Sequence, residues 1–180
     1  MVALEKRNQP SNLPLNGRGW NLCVYSGICL FFLSLLPGSF AGDVGATILV
    51  VSLEGKATCL NLEDEFMVDL DSTSVGKKIE EKSILVTGKN GSVGLLFSNG
   101  TLVTVKPGTR FYLREYSQKI FDPSGLPLPS KLEEEPSQSR LLAHLDFGEL
   151  VVKVPKLRKG SNMILSSPLG TAGIRGTMFQ

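Results

Sequence analysis

The 180 residues carry 42% hydrophobic and 20% charged side chains, proportions ordinary for a globular protein and enough for one domain with a sizeable core. The formal net charge of +2 does not mark a nucleic-acid binder: Lys6, Arg7 and Arg18 against Glu5 account for it, and beyond residue 41 sixteen basic residues face sixteen acidic ones. Nucleic-acid binding needs a basic patch interleaved with aromatics, and the chain shows none.

The N-terminal stretch reads as a targeting segment. Lys6, Arg7 and Arg18 precede an uncharged apolar run from Leu22 to Leu36, then Pro37-Gly38 and Ser39-Phe40-Ala41. A basic region, an apolar region and small residues before a cleavage point are the signal-peptide pattern, so residues 1–41 are assigned to it with cleavage after Ala41. The alternative is an uncleaved membrane anchor, since the uncharged stretch from Asn21 to Gly42 approaches the ~20 residues a spanning helix needs. Membrane contact is expected only through such an uncleaved segment. Cys23 and Cys29 would leave with it, and Cys59 in the remaining 42–180 reads as a small buried hydrophobe.

Beyond residue 41 the chain reads as short strands. Ala46 to Leu53 is β-branched and aliphatic between Gly45 and Gly55, and Ala57 to Leu62, Phe66 to Leu70 and Ser83 to Thr87 follow. Val93, Leu95 and Phe97 then alternate with smaller or polar residues, Asn99-Gly100 follows, and Val103 and Val105 alternate on the far side. Asn-Gly between two alternating runs predicts a hairpin with a type I′ turn, which requires positive φ at both central residues. Arg110 to Tyr116 puts Phe111 and Leu113 on one face and Arg110, Tyr112, Arg114 and Tyr116 on the other.

Residues 122–139, with Pro123, Pro127, Pro129 and Pro136 around Glu133-Glu134-Glu135, read as a surface loop inserted in the domain, its glutamates solvated. Leu141, Ala143, Leu145 and Phe147 resume the alternation, Gly148 turns the chain into Leu150, Val152 and Val154, and Asn162 to Ser167 forms a last short strand. The class is therefore all-β: a stack of short antiparallel strands and hairpins, either β-solenoid-like or an irregular sandwich.

Little in this chain points to catalysis. His144 is the one histidine and falls on the polar face of its strand, where a satisfied or solvated ring is expected rather than a base. No His/Cys cluster has metal-ligand spacing, and the spaced carboxylates of a calcium loop are missing around Glu133. Gly170, Gly173 and Gly176 lack the dinucleotide spacing and no lysine follows, so they are expected to serve tight turns and close packing. Neither a cofactor nor an enzymatic role is expected. Contact with a partner is assigned instead to Tyr112, Arg114 and Tyr116, because tyrosine and arginine are what binding surfaces use. Arg175, flanked by Ile174 and Gly176, is either a structural tie or a fourth contact.

The run Pro168-Leu169-Gly170-Thr171-Ala172-Gly173-Ile174-Arg175-Gly176-Thr177 resembles the signature end of a FecR-family domain. Leu85 to Gly88, Val93 to Gly100, Val103 to Thr109 and Leu145 to Val152 are similar in order to its middle and later turns, so the resemblance covers about 84–179. It implies an exported module, periplasmic or on the cell surface, with Pro168, Gly170, Gly173, Gly176 and Thr177 as structural signature and a twisted solenoid-like stack as fold. It also implies a protein partner in the bacterial envelope, reached in signal transduction or envelope organisation, and further strands after Phe179. Family members that regulate sigma factors carry a cytoplasmic domain before the membrane segment, whereas about twenty residues stand there in this sequence. An envelope glycan is the alternative ligand, with Tyr112 and Tyr116 as stacking surface.

Overall fold

A computed structural model describes residues 45–176; the expected signal segment with its expected cleavage point, Cys23, Cys29 and Thr177 lie outside the described residues. The strands are β1 (Ile48–Glu54), β2 (Ala57–Asn61), β3 (Phe66–Leu70), β4 (Ser83–Thr87), β5 (Ser92–Phe97), β6 (Leu102–Val105), β7 (Arg110–Gln118), β8 (Ser139–Phe147), β9 (Leu150–Lys153), β10 (Asn162–Ser167) and β11 (Gly170–Arg175). Two single-turn 3₁₀ segments, Ser72–Ser74 and Pro129–Lys131, are the helical elements of the described residues. None of these is long and apolar enough to cross a membrane.

The protein is all-β, an irregular two-sheet sandwich. One sheet has the order β1-β5-β6-β9 and the other β11-β10-β8-β7-β4-β2-β3. Every pairing is antiparallel except β8 with β10, which are parallel because the chain crosses to the small sheet as β9 between them. Of the two arrangements expected from the sequence, the strands take the irregular sandwich, not the solenoid-like stack. Alternation supplies the filling: Val93, Leu95, Phe97, Val103 and Val105 from the small sheet meet Leu85, Phe111, Leu113, Leu141 and Ala143 from the large one, all fully buried. Burial of ten such side chains is the main drive to fold, each worth roughly 1.5–3 kcal/mol for the larger ones.

The β5–β6 hairpin closes differently from the expected type I′ turn. Gly100 has φ +90°, but Asn99 does not take positive φ. Gly100 N donates to Phe97 O (2.9 Å) and Phe97 N to Thr101 O (2.9 Å), which makes a three-residue loop with glycine in the left-handed position. Asn99 is instead kept free for hydrogen bonding by its side chain.

The proline-rich segment 122–139 is likewise not wholly a surface loop. Glu133 and Glu134 are exposed, but Glu135 is fully buried, which corrects the expectation of three solvated carboxylates. Its carboxylate accepts from Ser161 Oγ, from Ser139 Oγ at 2.5 Å and from Arg158 N at 2.6 Å. Ser139 Oγ in turn accepts from Asn99 Nδ2 at 2.9 Å, so the hairpin tip of the small sheet is tied to β8 of the large one. A buried carboxylate is tolerated because its lone pairs are met by donors, and it becomes costly to remove because those donors lose water and partner together. Glu135→Ala should lower unfolding free energy by about 3 kcal/mol, read as a shifted urea midpoint at unchanged slope. Glu133→Ala on the exposed side serves as control, and equal shifts for the two variants would refute the clamp.

Candidate functional site

Two surfaces carry the residues singled out from the sequence: the outer face of the large sheet and its β11 edge. On β7, Tyr112 is half-buried on the outer face and Arg114 is exposed, its guanidinium carbon 5.3 Å from the Tyr112 ring centroid. Tyr116 does not join them. Leu113 pairs with Ala143 but Glu115 with Leu142, so Arg114 is an extra residue in a β-bulge and the alternation inverts behind it. Tyr116 therefore turns into the core at 5% exposure, edge-on to Phe97 with ring centroids 4.9 Å apart. Its assignment as an exposed contact is corrected by that one inserted residue.

The Tyr116 hydroxyl has a structural task. It accepts from Asn99 N (3.1 Å) and donates to Gln118 Oε1 (2.8 Å), while Ser98 Oγ, 3.0 Å away, donates to the same amide oxygen at 2.6 Å. Burial pushes the phenol up to about 12, against the opposing pull of the hydrogen bonds from Ser98 and Asn99.

On the outer face His144 stands between two partners. Its Nδ1 lies 2.8 Å from Ser166 Oγ and its Nε2 3.2 Å from Asp146 Oδ1, and Asp146 is also 3.3 Å from Arg110 Nε. The ring is satisfied, as expected from its strand face. A serine, a histidine and an aspartate in hydrogen-bond sequence have the ingredients of a nucleophile relay. Here they sit in register on adjacent strands, Ser166 opposite His144, and Ser166 Oγ also lies 3.2 Å from Ala143 O. The contacts of Ser166 Oγ with His144 and with Ala143 O tie β10 to β8. Sequence reasoning missed this trio because Asp146 and Ser166 acquire meaning only through strand register.

The signature run forms β11, paired antiparallel with β10 from Asn162↔Arg175 to Ser167↔Gly170. All six of its residues are exposed. A Cβ at Gly170 or Gly173 would meet nothing within 4 Å, and none of the three signature glycines has positive φ, so the expectation of packing or turn glycines fails for these two. Gly176 alone needs its missing side chain, because a Cβ there would stand 1.8 Å from Arg158 O. Arg175 is exposed and no ion pair or hydrogen bond joins its guanidinium to another described residue, so the structural tie through its side chain is not formed there. Pro168 is exposed in the β10–β11 turn. Among the described residues no group of three or more His, Cys, Asp or Glu could hold a metal ion. Cys59 is partly buried, and burial pushes its thiol up.

The two edges of the large sheet differ. β3 carries Asp69 and follows the acidic turn Glu63-Asp64-Glu65, the kind of charge that discourages strand addition. β11 carries no charge before Arg175, no proline and no bulge. The edge of β1 in the small sheet is covered, since Val50 N donates to Lys77 O (3.0 Å) and Ile79 N to Ile48 O (2.9 Å).

No family model, no curated protein and no solved structure matches this chain.

A raised phenol means that the folded state holds the Tyr116 proton more tightly than the unfolded chain, so its stabilisation is complete below pH 10 and lost as pH rises towards 12. Wild-type stability should fall over that window by about 2–3 kcal/mol more than that of Tyr116→Phe, which cannot ionise. Chemical denaturation at stepped alkaline pH measures it, and parallel curves for the two proteins would rule it out.

Proposed function

We propose that this chain is an exported, FecR-like, non-catalytic domain that works by protein contact in extracytoplasmic signalling or envelope organisation. The observation that carries the reading is β11: the run that resembles the family signature is a sheet edge, exposed along its whole length and uncharged as far as Ile174. A free edge is a template for one more strand, in which main-chain hydrogen bonds give affinity and alternate side chains give specificity. A partner's extended segment would lie beside β11 as an eighth strand, and Arg175 at its end is placed to read a carboxylate on that segment. Tyr112 and Arg114, on the outer face a few strands away, would extend the footprint.

The glycan alternative keeps one supporting feature. With Tyr116 in the core, its stacking surface reduces to Tyr112 and to Phe147, which is 55% exposed at the end of β8 on the same face.

Lysine at Gly173 adds a charge to the edge without disturbing packing, because the space beyond its Cα is open. Gly173→Lys should weaken capture of envelope proteins about ten-fold or more, whereas Val68→Lys on the opposite edge strand should leave it unchanged. Equal capture by both variants and the wild type would reject strand addition at β11. Retention on envelope polysaccharide that is abolished by Tyr112→Ala with Phe147→Ala would favour the glycan reading instead.

A further inference from the structure

The net charge of zero beyond residue 41 conceals a segregation of sign. At one end of the large sheet a groove of about 680 Å³ is lined by Lys119, Lys156, Arg158 and Lys159 against a single carboxylate, Glu134, with the apolar side chains of Ile120 and Phe121 among them. The groove is held open by buried structure. Arg158 donates from its backbone N to the Glu135 carboxylate (2.6 Å) and from Nε to Glu135 O (2.8 Å), and Gln138 Nε2 donates to Lys159 O (2.6 Å). Glu134 answers Lys156 (3.3 Å) and Arg158 (3.6 Å), which leaves Lys119 and Lys159 without an ion pair among the described residues.

The complementary surface lies on the same molecule. The β2–β3 turn projects Glu63, Asp64 and Glu65, with Glu80 and Glu81 beside it, against Lys78 and Lys82. Exposed Leu62 and Phe66 flank that turn, as exposed Ile120 lines the groove.

Strand register fixes where the two patches stand. Asn61 at the end of β2 pairs with Ser83, Ser83 with Leu113, and β7 then runs on to Gln118 opposite Ser139. The acidic turn leaves β2 at the same end of the sheet at which 119–121 leaves β7 and 136–138 enters β8. Laterally they are separated by three strand spacings from β2 to β8, roughly 14 Å, and along the strands the basic groove projects beyond the acidic turn by the five residues from Leu113 to Gln118, roughly 15 Å. Two patches of opposite sign at one end, the basic one projecting and the acidic one set back beside it, are self-complementary under a two-fold axis that passes midway between them and perpendicular to the sheet. Acid then meets base twice, and the assembly closes at two copies instead of growing into a filament.

We infer that the occupant of the basic groove is the acidic β2–β3 turn of a second copy of this chain, in a two-fold, end-to-end dimer. The pairing uses the end of the sheet, where Gly176 at the close of β11 abuts Arg158, but the charge-reversed residues lie off β11, so it stands or falls independently of strand addition there. Its attraction is between surface charges, so it strengthens at low salt and is screened as the Debye length contracts.

Sedimentation of the full chain should show a dimer at about 20 mM salt and a monomer at about 500 mM, where the Debye length is only a few ångströms. Lys119→Glu with Lys159→Glu, and separately Asp64→Lys with Glu65→Lys, should each give monomers at low salt while keeping the wild-type circular dichroism. Mixing the two reversed proteins should restore a dimer containing one copy of each. A wild type that is monomeric at low salt overturns the inference. So does a dimer that survives either reversal, and so does a failure of the two folded, reversed proteins to associate.

Discussion

The fold depends on a chain of buried polar contacts that crosses between the sheets at one end of the sandwich. It starts from Ser98 and Asn99 in the β5–β6 hairpin of the small sheet and branches there: one arm reaches the Tyr116 hydroxyl and Gln118 on β7, the other runs from Asn99 through Ser139 to the Glu135 carboxylate and Ser161. Apolar packing brings two sheets together without specifying their register, because hydrophobic contact is non-directional. Donors and acceptors withdrawn from water have to find particular partners, and that requirement selects one mutual placement. The proline-rich segment is drawn into the same network by Glu135, and Leu132 lies over the hairpin so closely that a Cβ at Gly100 would stand 3.0 Å from it.

The network also decides which surfaces are left for other molecules. Tyr116 and Glu135, both readable as surface groups, are consumed in holding the sheets, whereas the signature strand β11 makes no such commitment. Arg158 does both: its backbone and Nε are fixed by Glu135, and its guanidinium helps to wall the basic groove. Rigid buried structure beneath exposed cations gives a surface whose charges are already in position before anything binds.

Much of the strand pattern was legible because alternation and glycine turns are local. β3, β4 and β10 have the bounds read from the sequence, β5 and β6 flank the Asn99-Gly100 turn as read, and the inward faces of β7 up to Leu113 and of β8 up to Ala143 follow from period two. The reading failed where a residue's role depended on something distant in the chain. The bulge at Arg114 is set by the register of β7 against β8 across the proline-rich segment, and it moves Tyr116 from surface to core. Glu135 is buried because Arg158 and Ser161, more than twenty residues later, arrive beside it. Gly170 and Gly173 looked like packing devices and lie in an open edge strand, where glycine is accommodated without being required.

Composition and periodicity by themselves determined an all-β class, the order of the strands along the chain as far as β10 and most of their inward faces, since those follow from side-chain alternation and local turn chemistry. The resemblance of the terminal run to the FecR signature was also carried by sequence alone. Only the tertiary structure decided how the eleven described strands divide between two sheets, which strands lie at the sheet edges, which glutamate is buried and how opposite charges come to stand at one end. Each of those depends on pairing between segments far apart in sequence, whose contacts are selected by the closing of the whole sandwich and leave no mark on the local pattern.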